Sequence, residues 1–86
     1  MAEKTAPQKR SPRLIFSACE DIPAYREKHG MIQGEFWNRV GVSQSCGSRY
    51  ERGRRIPTPI RQLLHIAYAT PTQARALVEW LRHKRA

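Results

Sequence analysis

Apolar residues are sparse at the start of the chain and then recur at helical spacing. Met1 to Arg13, MAEKTAPQKRSPR, has almost nothing to bury and carries Lys4, Lys9, Arg10 and Arg13. It reads as a flexible basic arm, residues 1–13. Leu14-Ile15-Phe16 then offers three apolar side chains to a core, as strand or as irregular chain. From Asp21 the spacing predicts a helix. Asp21 can cap it, Pro23 suits a first turn, Ile22, Tyr25 and Arg26 share a face, and Gly30 stops it. A second helix is expected from Ile32 to Val40, with Phe36 and Val40 pointing inward at i, i+4 and Gly41 at its end. Ser43 is a good N-cap for a third short helix running through Glu51, closed by Gly53.

The stretch RRIPTP reads as a linker, with Thr58 capping a fourth helix and Pro59 at its first position. Ile60, Leu63, Leu64 and Ala67 fall at i, i+3, i+4, i+7 and predict a buried stripe. Thr70-Pro71-Thr72-Gln73 is a capping box that opens a fifth helix, residues 70–84. On that helix Ala74, Leu77, Val78 and Leu81 form a second stripe, widened by Trp80. The expectation is an all-α bundle of five short helices, with no internal repeat, in one domain over residues 14–86.

Eighty-six residues allow one lean domain with a small core, and a hydrophobic share of 40% is enough to fold one. Charge changes the picture more. Sixteen Lys and Arg against seven Asp and Glu give a formal net charge of +9, which favours a polyanionic partner. Cys19 and Cys46 are far apart in a chain with no secretory h-region, so free thiols in a reducing cytoplasm are expected. No apolar run approaches the roughly twenty residues that span a bilayer.

Two helices joined by about three residues with Gly at the bend form a helix-turn-helix. QGEFWNRVGVSQSCGSRYERG, Gln33 to Gly53, resembles the helix-turn-helix of the Cro/phage-repressor-like family of transcriptional regulators. YREKHGM is similar to that family's first helix and RRIPTPIRQLLHIA to its fourth, so the likeness covers Asp21 to Thr70. SRYERGRRIP is its most specific part.

A recognition helix presents its first turn to the major groove, where side chains must be polar and able to reach. Gln44 and Ser45 occupy that turn, and Arg49 lies one turn beyond Ser45. A glutamine amide can meet adenine N6 and N7, and an arginine fork can meet guanine O6 and N7. The resemblance implies that Gln44, Ser45 and Arg49 read bases. It also implies that Gln33 contacts phosphate and braces Gln44, with Ser43 beside it. Arg52, Arg54 and Arg55 suit phosphate contacts that fix register. The plain reading of each residue alone is a solvated helix face.

Two positions depart from the family. Trp37 stands where a small residue is usual, and Gly47 where Ile or Val is usual. Both face the junction of the second and third helices, so a compensated exchange is expected, the indole filling the space a branched side chain leaves. Cys46, in the same helix, is expected to act as a small buried hydrophobe.

No catalytic constellation is present. Glu20-Asp21 looks like a helix start, and His29, His65 and His83 fall on separate helices. There is no Cys-x-x-Cys, no His-x-x-x-His and no glycine-rich phosphate loop, so no enzyme, cofactor or metal is expected. The resemblance implies a homodimer on an inverted-repeat operator in duplex DNA, acting as a repressor on the nucleoid in the cytoplasm. Leu77, Val78, Trp80 and Leu81 are the candidate dimer surface, unless the last helix folds back to complete its own core. The arm residues Lys9, Arg10 and Arg13 either touch DNA or are an idle tail. Two other readings stay open: a basic RNA-binding protein, and an antitoxin-type module that masks an acidic protein partner.

Overall fold

The computed structural model describes residues 12–16 and 18–83 of the chain. It contains α1 (Asp21–Lys28), α2 (Gln33–Asn38), α3 (Gln44–Glu51), α4 (Thr58–Tyr68) and α5 (Pro71–His83), and no strand among the described residues. The five expected helices are all present. Residues 1–11, with Lys9 and Arg10, and Lys84 at the expected end of the last helix lie outside the described residues. No helix among those described is long and apolar enough to cross a membrane.

The helix ends follow local chemistry. Ser43 Oγ accepts from Cys46 N at 3.2 Å, so α3 has the expected side-chain cap. Thr70 Oγ1 accepts from Gln73 N at 3.2 Å and Gln73 Oε1 from Thr70 N at 3.1 Å, closing the expected capping box. Gly41 (φ +78°) and Gly53 (φ +113°) take the left-handed conformation that lets the chain enter and leave α3 sharply. Three ends differ from expectation. Asp21 does not cap α1; its carboxylate accepts from Ala18 N at 3.1 Å and so closes the turn before the helix. Pro57 holds the N-cap position of α4, which makes Thr58 its first residue. α2 is shorter than Ile32–Val40, because Val40 N and Gly41 N tighten onto Trp37 O and Asn38 O, three residues back.

That early ending leaves carbonyls of the last turn of α2 without helical partners. Tyr68, arriving from α4, donates its hydroxyl to Phe36 O at 2.7 Å. Its ring stacks on Phe36 with centroids 4.4 Å apart and planes 6° from parallel. Phe16 meets Tyr25, Phe36 and Tyr68 edge-on, at 5.4, 5.8 and 6.4 Å. The expected contact of Leu14-Ile15-Phe16 with the core is therefore made chiefly by Phe16, within irregular chain.

A buried histidine pins that segment. His65, 1% exposed, accepts from Ile15 N through Nδ1 at 3.1 Å. Its Nε2 lies 3.1 Å from Gln73 O, a pure acceptor, so the ring is the neutral Nε2–H tautomer. One side chain thus ties the entry segment, α4 and the first turn of α5 together. Leu63 corrects the expected α4 stripe. It is 45% exposed, because the helix turns Leu64, His65 and Tyr68 inward while Ile60 and Ala67 pack at the margin.

Trp37 is wholly buried, and Gly47 lies directly against its ring. A Cβ added at Gly47 would fall within contact of Trp37 Cγ and Cδ1 and 2.7 Å from Cδ2. The indole occupies the place of the missing side chain, which is the expected exchange. Gly47→Ala should therefore lower stability, although alanine is favoured in a helix by up to about 1 kcal/mol. Overpacking of a rigid core costs about 1–3 kcal/mol and wins. Thermal or urea melts followed by circular dichroism check the sign.

Candidate nucleic-acid interface

The face proposed from the sequence is built on eight residues, too few to hold a helix in water without packing. Its inner side supplies that packing. Cys46 and Tyr50 lie partly buried against the core, Gly47 rests on Trp37, and Glu51 closes the helix. Ser45 and Arg49 leave from the opposite side, since three or four residues make about one turn. Gln44, Ser45, Arg49 and Arg52 are exposed. Gln33, Gln44, Ser45, Ser48, Arg49 and Arg52 together line an open, polar depression of about 390 Å³. Ser48 joins this face without having been singled out; it lies four residues after Gln44.

Gln44 lies along the backbone of α2. A Cβ added at Gly34 would stand 3.6 Å from Gln44 Oε1, an ordinary contact distance. Gln33 corrects one expectation. It does not brace Gln44; its Nε2 donates to Glu51 Oε1 at 3.2 Å. Ser43 is exposed and its Oγ is engaged as the helix cap. Arg54 and Arg55 are exposed in the segment after α3, and Arg13 is exposed ahead of the core.

Glu51 is the residue the sequence reading missed as anything more than a helix end. Its side chain is only 6% exposed. Arg26 of α1 grips it with both arms of the guanidinium, Nε to Oε2 at 2.9 Å and Nη2 to Oε1 at 2.8 Å. Trp37 Nε1 donates to Oε2 at 2.7 Å. Arg26 Nη1 also donates to Met31 O at 3.2 Å, steadying the turn between α1 and α2. Burial works against the charge on Glu51. The donors Arg26, Trp37 and Gln33, with the Arg26 charge, overcome it and hold the carboxyl below its ordinary 4.5. A signal existed: Glu51 lies four residues after Gly47, on the inward phase of the helix.

Nearby, the Cys46 thiol acts on the Tyr50 hydroxyl and, with burial, pushes that phenol up from its ordinary value against the pull of Arg54. Both cysteines are free thiols. On α5, Leu77 is wholly buried, so it completes its own domain and has no surface to offer a partner. Val78 and Trp80 are partly buried. Leu81 is 36% exposed, as is Ile66 on α4, beside the 45% of Leu63.

The lowered carboxyl sets a pH dependence. Because Glu51 is more acidic folded than unfolded, its contribution is complete above the ordinary value and is lost as pH falls through the folded one. Glu51→Gln should cost about 3–5 kcal/mol near neutrality, since it breaks a largely buried ion pair. The deficit should narrow as pH falls past the ordinary carboxyl value and on through the lower folded one, where the native carboxyl is protonated too. Urea melts of both proteins from pH 7 to pH 3 test this; a constant gap would show that Glu51 carries no linked charge.

A model of the family described as RsaL-like HTH domain matches residues 23–67, which span α2, α3 and most of α1 and α4. Comparisons with curated proteins and with solved structures find no match.

Proposed function

The chain belongs to the RsaL-like HTH domain family, and from that premise we propose that it is a transcriptional regulator that reads duplex DNA sequence-specifically through α3. The observation that carries this reading is the division of α3. One side is locked by Trp37 and Glu51, while Gln44, Ser45 and Arg49 stand exposed on the other as one polar face. In the major groove the Gln44 amide suits adenine N6 and N7, the Arg49 fork suits guanine O6 and N7, and the Ser45 hydroxyl can donate or accept. Arg52, Arg54 and Arg55, with Ser43, take phosphate oxygens and fix the register. Gln33 keeps its amide oxygen and one N–H for the nucleic acid after its bond to Glu51. The net charge of +9 adds sequence-independent attraction.

The finer parts of the proposal are a kinship with Cro/phage-repressor-like regulators, a two-fold dimer and an inverted-repeat operator with half-sites about one helical turn apart. Repression would follow from occupying a promoter in the cytoplasm, without catalysis or cofactor. Leu81, with Leu63 and Ile66, supplies exposed apolar atoms for a dimer contact. An RNA-binding reading draws no support from Tyr25, Phe36, Tyr50 or Tyr68. Phe36 and Tyr68 are buried and Tyr25 and Tyr50 are packed against the core, leaving none of them as a stacking platform.

Selection from random duplexes should yield a short symmetric site. Against variants of that site, Arg49→Ala should lose about 1–3 kcal/mol at one base pair and little elsewhere. A uniform loss would make Arg49 a phosphate contact. Sedimentation at high micromolar concentration should give twice the chain mass, reduced to one chain by Leu81→Glu; a monomeric native chain there would remove the free dimer.

A further inference from the structure

Trp37 touches α3 at two successive turns. Its ring fills the space over Gly47, its Nε1 donates to Glu51 Oε2 at 2.7 Å, and its centroid lies 5.4 Å from that of Tyr50. The bond to Glu51 is the shortest of the four that the carboxylate accepts; the others measure 2.8, 2.9 and 3.2 Å. Each Glu51 oxygen takes two donors, and each pair draws one from Arg26 and one from α2. The carboxylate can accept about four such bonds, so its directions are fully committed. A core needs only an apolar body at residue 37. The indole N–H adds a direction.

That direction matters for what α3 displays. Side chains on a helix end about 5–6 Å from its axis, so a roll of about 10° moves their ends by about 1 Å. Binding constellations must be held to about 0.5 Å. Packing of Cys46, Gly47 and Tyr50 against the core limits tilt, and the donors on Glu51 fix the roll about the helix axis. Among those donors Trp37 alone also lies against Gly47, so one side chain meets α3 both by contact and by a directed bond. Gln44 and Arg49 share the same rigid rod and inherit its setting.

We propose that Trp37 is a positioning residue for base readout: through its N–H on Glu51 it sets the roll of α3 and thereby where Gln44 and Arg49 meet the bases. The proposal rests on the DNA-reading function above. It separates two properties that stability alone would move together. Loss of folded protein lowers operator and random-duplex binding by one common factor. Loss of position lowers operator binding while leaving the phosphate contacts, and so random-duplex binding, in place.

The test replaces the N–H without emptying the core. Trp37→Phe is one variant. A synthetic chain with benzothienylalanine at residue 37, sulfur in place of N–H in a ring of the same shape, is the second. Both are measured, at a temperature where circular dichroism shows them folded, against the site the native chain selects and against a scrambled duplex. Operator affinity should fall at least about fivefold, the low end for one disturbed bidentate contact. Scrambled-duplex affinity should change less than about twofold, and the slope of log affinity against log salt should hold. If the benzothienyl chain keeps the native ratio of the two affinities, or loses both in equal measure, Trp37 is a core residue only and the proposal is overturned. A native chain that selects no duplex at all sinks the DNA-reading function itself, and the positioning role with it.

Discussion

The arrangement of this domain depends on one carboxylate being solvated by protein in place of water. Glu51 ends a helix of eight residues, and its two oxygens receive donors from α1 and α2. A buried carboxylate left unpaired costs several kcal/mol, so the three helices are held to the one geometry that keeps all four bonds. The cost of burying the charge and the gain from pairing it roughly offset. What survives is direction: a short helix that could seat itself in several ways is confined to one.

The same economy appears at the other end of the molecule. Tyr68 completes the last turn of α2 with a hydroxyl, and His65 receives an entry-segment N–H while facing the Gln73 carbonyl. Both polar groups lie within or beside the aromatic cluster of Phe16, Tyr25 and Phe36. A domain this small has little apolar area to secure its fold. Satisfied polar groups inside the core add the specificity that volume alone does not supply. They also tie α4 to α2 through Tyr68 and to α5 through His65.

Much of this was legible from residues close together in the chain. Glycines and the caps at Ser43 and Thr70 placed the helices, with ends shifted where Asp21 and Thr58 did not cap, because turns and caps are decided within a few positions. The exposure of Gln44, Ser45 and Arg49 followed from helical phase. Even the exchange between Trp37 and Gly47 was readable, since one oversized and one absent side chain at a shared junction imply each other. Periodicity failed where it ranks residues by apolarity alone. It placed Leu63 in the core, where the structure turns His65 and Tyr68 inward. For Leu77 it left a partner and the chain's own core both open, and the helix buries it in its own domain.

The pairings that fix the domain were beyond that reach. Arg26 and Glu51 stand 25 residues apart, and Ile15 and His65 stand 50 apart. A charged residue in a sequence looks solvated until a specific donor is brought to it, and only the packed chain brings one. The linear order of residues settled which segments coil, where they stop and which polar side chains remain outside. The folded arrangement settled which buried charge answers which donor, because hydrogen bonds are short and directional and depend on positions in space that local spacing does not encode.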